Sequence, residues 1–152
     1  MRKNRLNLFT FAIKERMRDT ELIRAKEQAL YAVYKRGLEE GRFKSFREAG
    51  EWTRKQPAPR YFIDSRTASL LLGKIHNQSF LMGLHPASRR LILHLDSKYK
   101  EYLHEHPKST LSRERIMELL VEEPAPEFYI TGEGARKIIR KVIKGIREKW
   151  GQ

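Results

Sequence analysis

The chain has 152 residues, 39% of them apolar, which is enough for one domain or two small interdependent ones but not for a generous core. It contains no cysteine, so disulfide frameworks and zinc–thiolate sites are excluded and a reducing cytoplasm is the expected compartment. Thirty-two Lys and Arg against 19 Asp and Glu leave a formal charge of +13, which favours a polyanionic partner: nucleic acid, acidic membrane or acidic protein.

In chain order, residues 1–10 read as a basic N-terminal arm, and no apolar stretch adequate for a signal peptide follows the opening MRKNR. No apolar run approaches the roughly 18 residues of a membrane span. Over residues 11–40 there is no proline and no glycine before Gly37, and Ile13, Met17, Leu22, Ala25, Ala29, Leu30 and Val33 recur at near-helical spacing. This predicts one long helix, with a break near Asp19-Thr20, a solvated face of alternating charge, and an end loosened by Gly37 and Gly41. Ser45 followed by Glu48 is a capping-box signature for a second helix over 44–55, which must stop before Pro57.

Pro57 and Pro59 hold the next residues extended, and Tyr61, Phe62 and Ile63 are strand-type residues. Their expected role is packing between the second and third helices, with stacking on unpaired bases as the alternative. Asp64 or Ser65 caps a third helix whose stripe is Ala68, Leu71, Leu72 and Ile75. Residues 77–84 are ambiguous. Pro86 opens a further helix that ends before Pro107, with Leu91, Leu95, Tyr99, Tyr102 and Leu103 on its buried side. Residues 112–123 form another helix, Phe128, Tyr129 and Ile130 another extended segment, and Thr131 or Gly132 starts a final helix that Gly151 ends.

The extended segment occurs twice: residues 57–63, PAPRYFI, return sixty-seven positions later as residues 124–130, PAPEFYI. Pro, Ala, Pro, Ile, Ala and Lys are identical between 57–75 and 124–142, and upstream Ser45, Ala49, Glu51 and Trp52 lie over Ser112, Ile116, Glu118 and Leu119. More weakly, Tyr34, Lys35 and Leu38 match Tyr99, Lys100 and Leu103. The expected fold is therefore mainly α: repeat unit one over 11–84 and repeat unit two over 85–152, packed as one compact domain. Each unit has three helices and a PAPxFYI-type segment. In architecture each unit resembles the tri-helical helix-turn-helix class, which implies a second helix bracing a third that enters the major groove. The linker departs from that class by being much longer than its usual turn.

The final helix carries the clearest functional pattern. At 100° per residue Ile138, Ile139, Val142, Ile143, Ile146 and Trp150 fall in one sector, and Arg136, Lys137, Arg140, Lys141, Lys144 and Arg147 in the opposite one. Glu148 is the only acid between Ala135 and Trp150, so this face is expected to lack internal ion pairs and to contact nucleic acid. The matching positions in unit one, Ser69, Leu70 and Gly73, leave Lys74 as that helix's matched basic residue and point to a structural role.

Little recommends catalysis or a cofactor: there is no Cys nucleophile, no Gly-rich phosphate loop and no HExxH motif. His85, His94, His104 and His106 read as exposed helix-end residues rather than metal ligands, since His104 and His106 at i,i+2 lie on different sides of a helix. Asp64 and Glu51 read as a helix cap and a surface carboxylate. The sequence thus predicts a non-enzymatic protein that binds duplex DNA, such as a mobile-element accessory or regulator. RNA binding, and a helical oligomer or interaction module, stand as the alternatives.

Overall fold

The computed structural model describes the backbone of residues 5–150 and the side chains from Thr20 onward, so residues 1–4 of the expected arm, the side chains of the stripe residues Ile13 and Met17, and Gly151 lie outside what is described. Among the described residues there are seven α-helices and no strand: α1 (Arg5–Glu39), α2 (Phe46–Arg54), α3 (Ser65–Leu72), α4 (Gln78–Gly83), α5 (Pro86–Glu105), α6 (Arg113–Leu120) and α7 (Gly132–Trp150). None of them is long and apolar enough to cross a membrane.

Helix α1 runs without a break past Asp19-Thr20 and includes residues 5–10 of the expected arm. Asp and Thr are weak helix formers but not breakers, and a helix already nucleated on both sides propagates through them. Gly37 does not loosen the helix either. A Cβ at Gly37 would run into the rings of Trp52 and Phe43, so the glycine lets these aromatics lie against α1. The chain leaves α1 at Gly41, whose φ of 66° is the left-handed conformation glycine adopts without penalty.

The later helices begin where side-chain caps satisfy their free N–H groups. Ser45 Oγ accepts from Glu48 N at 3.2 Å while Glu48 Oε2 reaches back to Lys44 N at 2.9 Å. Ser112 caps α6 in the same way, accepting from Arg115 N. Asp64 accepts from Thr67 N and Thr131 from Gly134 N, opening α3 and α7. Asn77 does this for the short α4, which settles the ambiguous stretch as a six-residue helix.

The two proline-flanked linkers cross each other. Ala58 and Ala125 each donate a backbone N–H to the other's carbonyl at 2.9 Å, an isolated antiparallel bridge. Tyr61 N–H donates to the carbonyl of Val121 at the end of α6, and Phe128 N–H to the carbonyl of Arg54 at the end of α2. Each linker thereby satisfies a carbonyl at the C-terminus of the other linker's lead-in helix, a group with no partner inside its own helix. The rings stack across the crossing in two pairs, Tyr61 on Tyr129 at 6.0 Å and Phe62 on Phe128 at 6.1 Å. Exchanging every position with the one sixty-seven away turns each of these contacts into another of them.

The crossing decides which helices meet. The main packings are α2 on α7 and α6 on α3, with α1 against α2 and α7, and α5 against α3 and α6. A helix-turn-helix arrangement expects α2 against α3 and α6 against α7 instead. The difference follows from the linkers, whose prolines keep the chain extended and carry each third helix over to the opposite lead-in helix. One core joins the layers: Leu30 and Val33 of α1, Tyr61, Ala68 and Leu72, Ile92 and Leu95 of α5, Ile116, Met117 and Leu120 of α6, Phe128, Ala135 and Ile139. On α5, Ile92 takes the buried place expected of Leu91, which is half-buried, and Leu103 is exposed.

A polar cluster closes one side of the crossing. His94 Nδ1 of α5 lies 2.6 Å from Tyr129 Oη and 3.1 Å from Tyr61 Oη. Lys98, one turn on, pairs with Glu123 at 2.6 Å, and Arg90, one turn back, with Glu127 at 2.8 Å. Burial pushes the His94 imidazole below its ordinary pKa, with Lys98 adding to the shift and Glu127 opposing it. Burial likewise raises the Tyr129 hydroxyl well above its ordinary value. Tyr129 is also the one non-glycine residue at positive φ among the described residues, at 55°, a conformation that costs a bulky side chain about 1–2 kcal/mol. Its stack and its hydrogen bond hold it there.

Two expectations follow. Tyr61 and Phe128 are the fully buried rings, while Phe62 and Tyr129 are half-buried. Tyr61→Ala or Phe128→Ala should therefore cost about 3–5 kcal/mol in chemical denaturation, and Phe62→Ala should cost less; equal losses would contradict the burial pattern. For His94 the unfolded chain takes up its proton near pH 6.5 and the native protein at lower pH. The unfolded state thus binds more protons in that interval, and stability falls as pH drops through it. His94→Gln keeps a hydroxyl acceptor but does not titrate, so its melting temperature should vary less between about pH 7 and 5 than that of the unaltered chain.

Candidate nucleic-acid interface

Helix α7 is held against the body by its N-terminal half. Ala135 and Ile139 are buried, Ile138, Val142 and Ile143 are half-buried, Ile146 is 41% exposed and Trp150 78% exposed. Cover fades along the helix because α7 has 19 residues and α2 only nine, so the last turns run past the helix that buries the first. The two helices approach closely at a pair of glycines. A Cβ on Gly50 would meet the Gly132 carbonyl and the Arg136 side chain, and a Cβ on Gly132 would meet Glu51.

The six basic residues expected to act together divide by chemistry. Arg136 Nη1 donates to the Arg47 carbonyl of α2 at 3.3 Å, and the Arg140 guanidinium lies 4.8 Å from the centre of the Phe46 ring. Both arginines are thus laid over the first turn of α2, the planar guanidinium stacking where an ammonium would not. The three lysines have acidic neighbours: Lys137 to Glu133 at 3.6 Å, Lys144 to Glu148 at 3.9 Å and Lys141 to Glu27 of α1 at 2.6 Å. The expectation of a face without ion pairs is corrected, since Glu133 sits one turn before Lys137 and Glu27 is brought in by α1. All three lysines stay largely exposed; the Lys137–Glu133 and Lys144–Glu148 pairs are exposed on both sides and contribute about 0–1 kcal/mol, whereas Glu27, only 13% exposed, holds Lys141 more firmly. Arg147 is exposed.

Packing α7 on α2 adds two cations that helical periodicity alone did not assign to the face. Lys44 and Arg47 are both exposed and flank Phe46, the residue under Arg140. The sequence carried a faint signal of this: Gly50 stands where unit two has Met117, a mark of close helix approach. Across the molecule the equivalent place is built differently. Arg113 of α6 donates to Ser69 of α3 at 3.2 Å and lies over Gly73, Leu70 is exposed, and Lys74 sits 5.6 Å from the Phe80 ring.

One place away from α7 has the opposite charge. A cavity of about 500 Å³ between α1, the first linker and α6 is lined by Glu21, Asp64, Glu118 and Glu122, with Arg60 as its cation. A polyanion would be repelled by these carboxylates. Among the described residues no cluster of three or more His, Asp or Glu side chains is placed to hold a metal. His85 caps α5 through Ala87 N, His94 serves the tyrosines, and His106 stacks on Tyr102 at 4.2 Å. Asp64 caps α3, and Glu51 pairs with Arg54 at 3.0 Å.

Gly50→Ala forces α2 and α7 apart and should lower stability by about 1–3 kcal/mol, as overpacking does; a melting temperature equal to that of the unaltered chain would show that the helices separate without cost. Comparison with protein-family models, with curated proteins and with solved structures finds no match to this chain.

Proposed function

We propose that this is a non-enzymatic nucleic-acid-binding protein, built from two copies of a helix–linker–helix unit, that holds duplex DNA through phosphate contacts from α7 and the first turn of α2. The observation that carries the reading is the exposed cation row Lys137, Arg140, Lys141, Lys144 and Arg147, extended by Lys44 and Arg47, in a chain of charge +13 whose α6 side is acidic. Cations on one rigid surface release condensed counterions together when they meet a polyphosphate backbone, and this supplies affinity without sequence readout. Duplex DNA is favoured over duplex RNA because the major groove of B-form DNA admits a helix and that of A-form RNA does not. An accessory or regulatory role for a mobile element fits a small, basic, internally repeated chain.

The test is a salt series with labelled duplex DNA. Lys137, Arg140, Lys144 and Arg147 are changed together to Gln, which remains a good helix former, and Arg136 is left in place because it ties α7 to α2. Log affinity falls against log salt by about 0.9 for each neutralised phosphate, so the slope should flatten by up to about 3.6. Lys100 pairs with Asp96 at 2.9 Å on α5; changing it and Lys108 to Gln should do much less. Equal effects of the two sets would mean diffuse attraction, and no duplex binding by the unaltered chain would hand the reading to a helical interaction module.

A further inference from the structure

The described Phe, Tyr and Trp residues are buried or half-buried with one exception, Trp150. The linker rings that invited a base-stacking reading are used up in stacking on one another, Tyr61 on Tyr129 and Phe62 on Phe128. The other tryptophan, Trp52, packs beside Phe43 at 6.0 Å and against Gly37. Trp150 instead stands 78% exposed in the last turn of α7, with exposed Lys144, Arg147 and Lys149 within six positions and the Lys149 ammonium 5.7 Å from its ring centre. An indole left in water among cations forgoes the burial that aromatic side chains otherwise gain, and it presents a π-face beside groups that attract phosphate.

We infer that Trp150 is a stacking platform for an unpaired nucleobase, so that the preferred partner of α7 is a duplex with an adjoining single-stranded segment. This rests on the α7 reading above and narrows its ligand. Phosphates of the duplex lie along Lys137, Arg140, Lys144 and Arg147, and the strand that leaves the duplex passes the end of the helix. There the first unpaired base meets the indole. Stacking of this kind tolerates any base, because every base has a π-face, and it needs the base free of its partner. Charge selects the class of partner, since an apolar docking partner gains nothing from the Lys149 ammonium beside the ring or from the exposed cations along the rest of α7.

The test compares the full chain with Trp150→Ala and Trp150→Phe on a labelled blunt duplex and on the same duplex carrying a short single-stranded thymidine overhang. Base–aromatic stacking predicts that the overhang tightens binding by the unaltered chain about tenfold. Trp150→Ala should lose that preference while keeping its affinity for the blunt duplex and its melting temperature. Trp150→Phe should keep most of the preference, and tryptophan emission should be quenched by the overhang substrate more than by the blunt one. An overhang preference unchanged in Trp150→Ala overturns the assignment, as does sedimentation showing a dimer of the unaltered chain that Trp150→Ala dissociates, because a second copy would then cover the indole. Failure of the unaltered chain to bind either duplex removes the α7 reading itself, whereas blunt-duplex binding with no overhang preference removes only the stacking.

Discussion

Two alanines, Ala58 and Ala125, hold each other by their own backbone groups, and the rest of the architecture depends on that exchange. Alanine suits the place because a larger side chain at the crossing would hold the strands of chain apart, and both residues are buried to within a few per cent. A pair of neutral hydrogen bonds contributes only about 1 kcal/mol each. Their importance lies in what they align: with the alanines paired, Tyr61 and Phe128 reach the terminal carbonyls of the opposite helices, and the rings come into two stacks. A buried crossing without these partners would leave N–H and C=O groups unsatisfied at about 1–3 kcal/mol apiece. Prolines on both sides of each alanine keep the segments extended, so little backbone entropy remains to be lost on folding.

From the crossing follows the charge distribution. Because each linker hands its third helix to the opposite lead-in helix, α7 lies on α2 rather than on α6. The two lead-in helices carry two basic and two acidic residues each, Arg47, Arg54, Glu48 and Glu51 on α2 and Arg113, Arg115, Glu114 and Glu118 on α6, and the difference lies in their flanks: Lys44 and Lys55 beside α2, Glu122 and Glu123 after α6. Had α7 packed on α6, the basic face would border those carboxylates and be partly neutralised. The crossed arrangement brings the basic face of α7 against Lys44 and Arg47, a placement that weakens the fold slightly by repulsion.

Much of this was legible in the sequence, and the limits are physical. Helix starts were readable because caps act within three residues: Ser45, Asp64, Ser112 and Thr131 each bond the backbone just ahead of them. The repeated PAPxFYI segment and the apolar stripe of α7 were likewise local patterns. Which helix would pack on which was not legible, because the choice between a neighbour in sequence and one across the crossing depends on where the extended linkers lead. That is also why Lys44 and Arg47 escaped notice as part of the α7 face, and why Glu27, far away on α1, appeared only in the structure as the partner of Lys141. Ile146 and Trp150 share the apolar sector by angle but are exposed in the structure, because angle does not tell how far along a helix its cover extends.

The order of the aromatic residues in the two segments, Tyr-Phe in the first and Phe-Tyr in the second, takes its meaning from the same crossing. The stacks pair position 61 with 129 and position 62 with 128. With the same order in both segments each stack would join one tyrosine to one phenylalanine, and each side of the crossing would hold one hydroxyl in need of a partner. Reversing the order in one copy sorts the rings, so that both hydroxyls fall on the side of α5 and neither on the other. One histidine and the hydroxyls themselves then complete the set: His94 Nδ1 lies within hydrogen-bond distance of both and takes one of them, and the two tyrosine hydroxyls hydrogen-bond each other. The residue of α1 that corresponds to His94, by the alignment of Tyr34 with Tyr99, is Ala29, which carries no polar side-chain group and packs against the core. A buried polar group is stabilising only when its partners are complete, and the reversed order meets that condition with one polar cluster where two would otherwise be required.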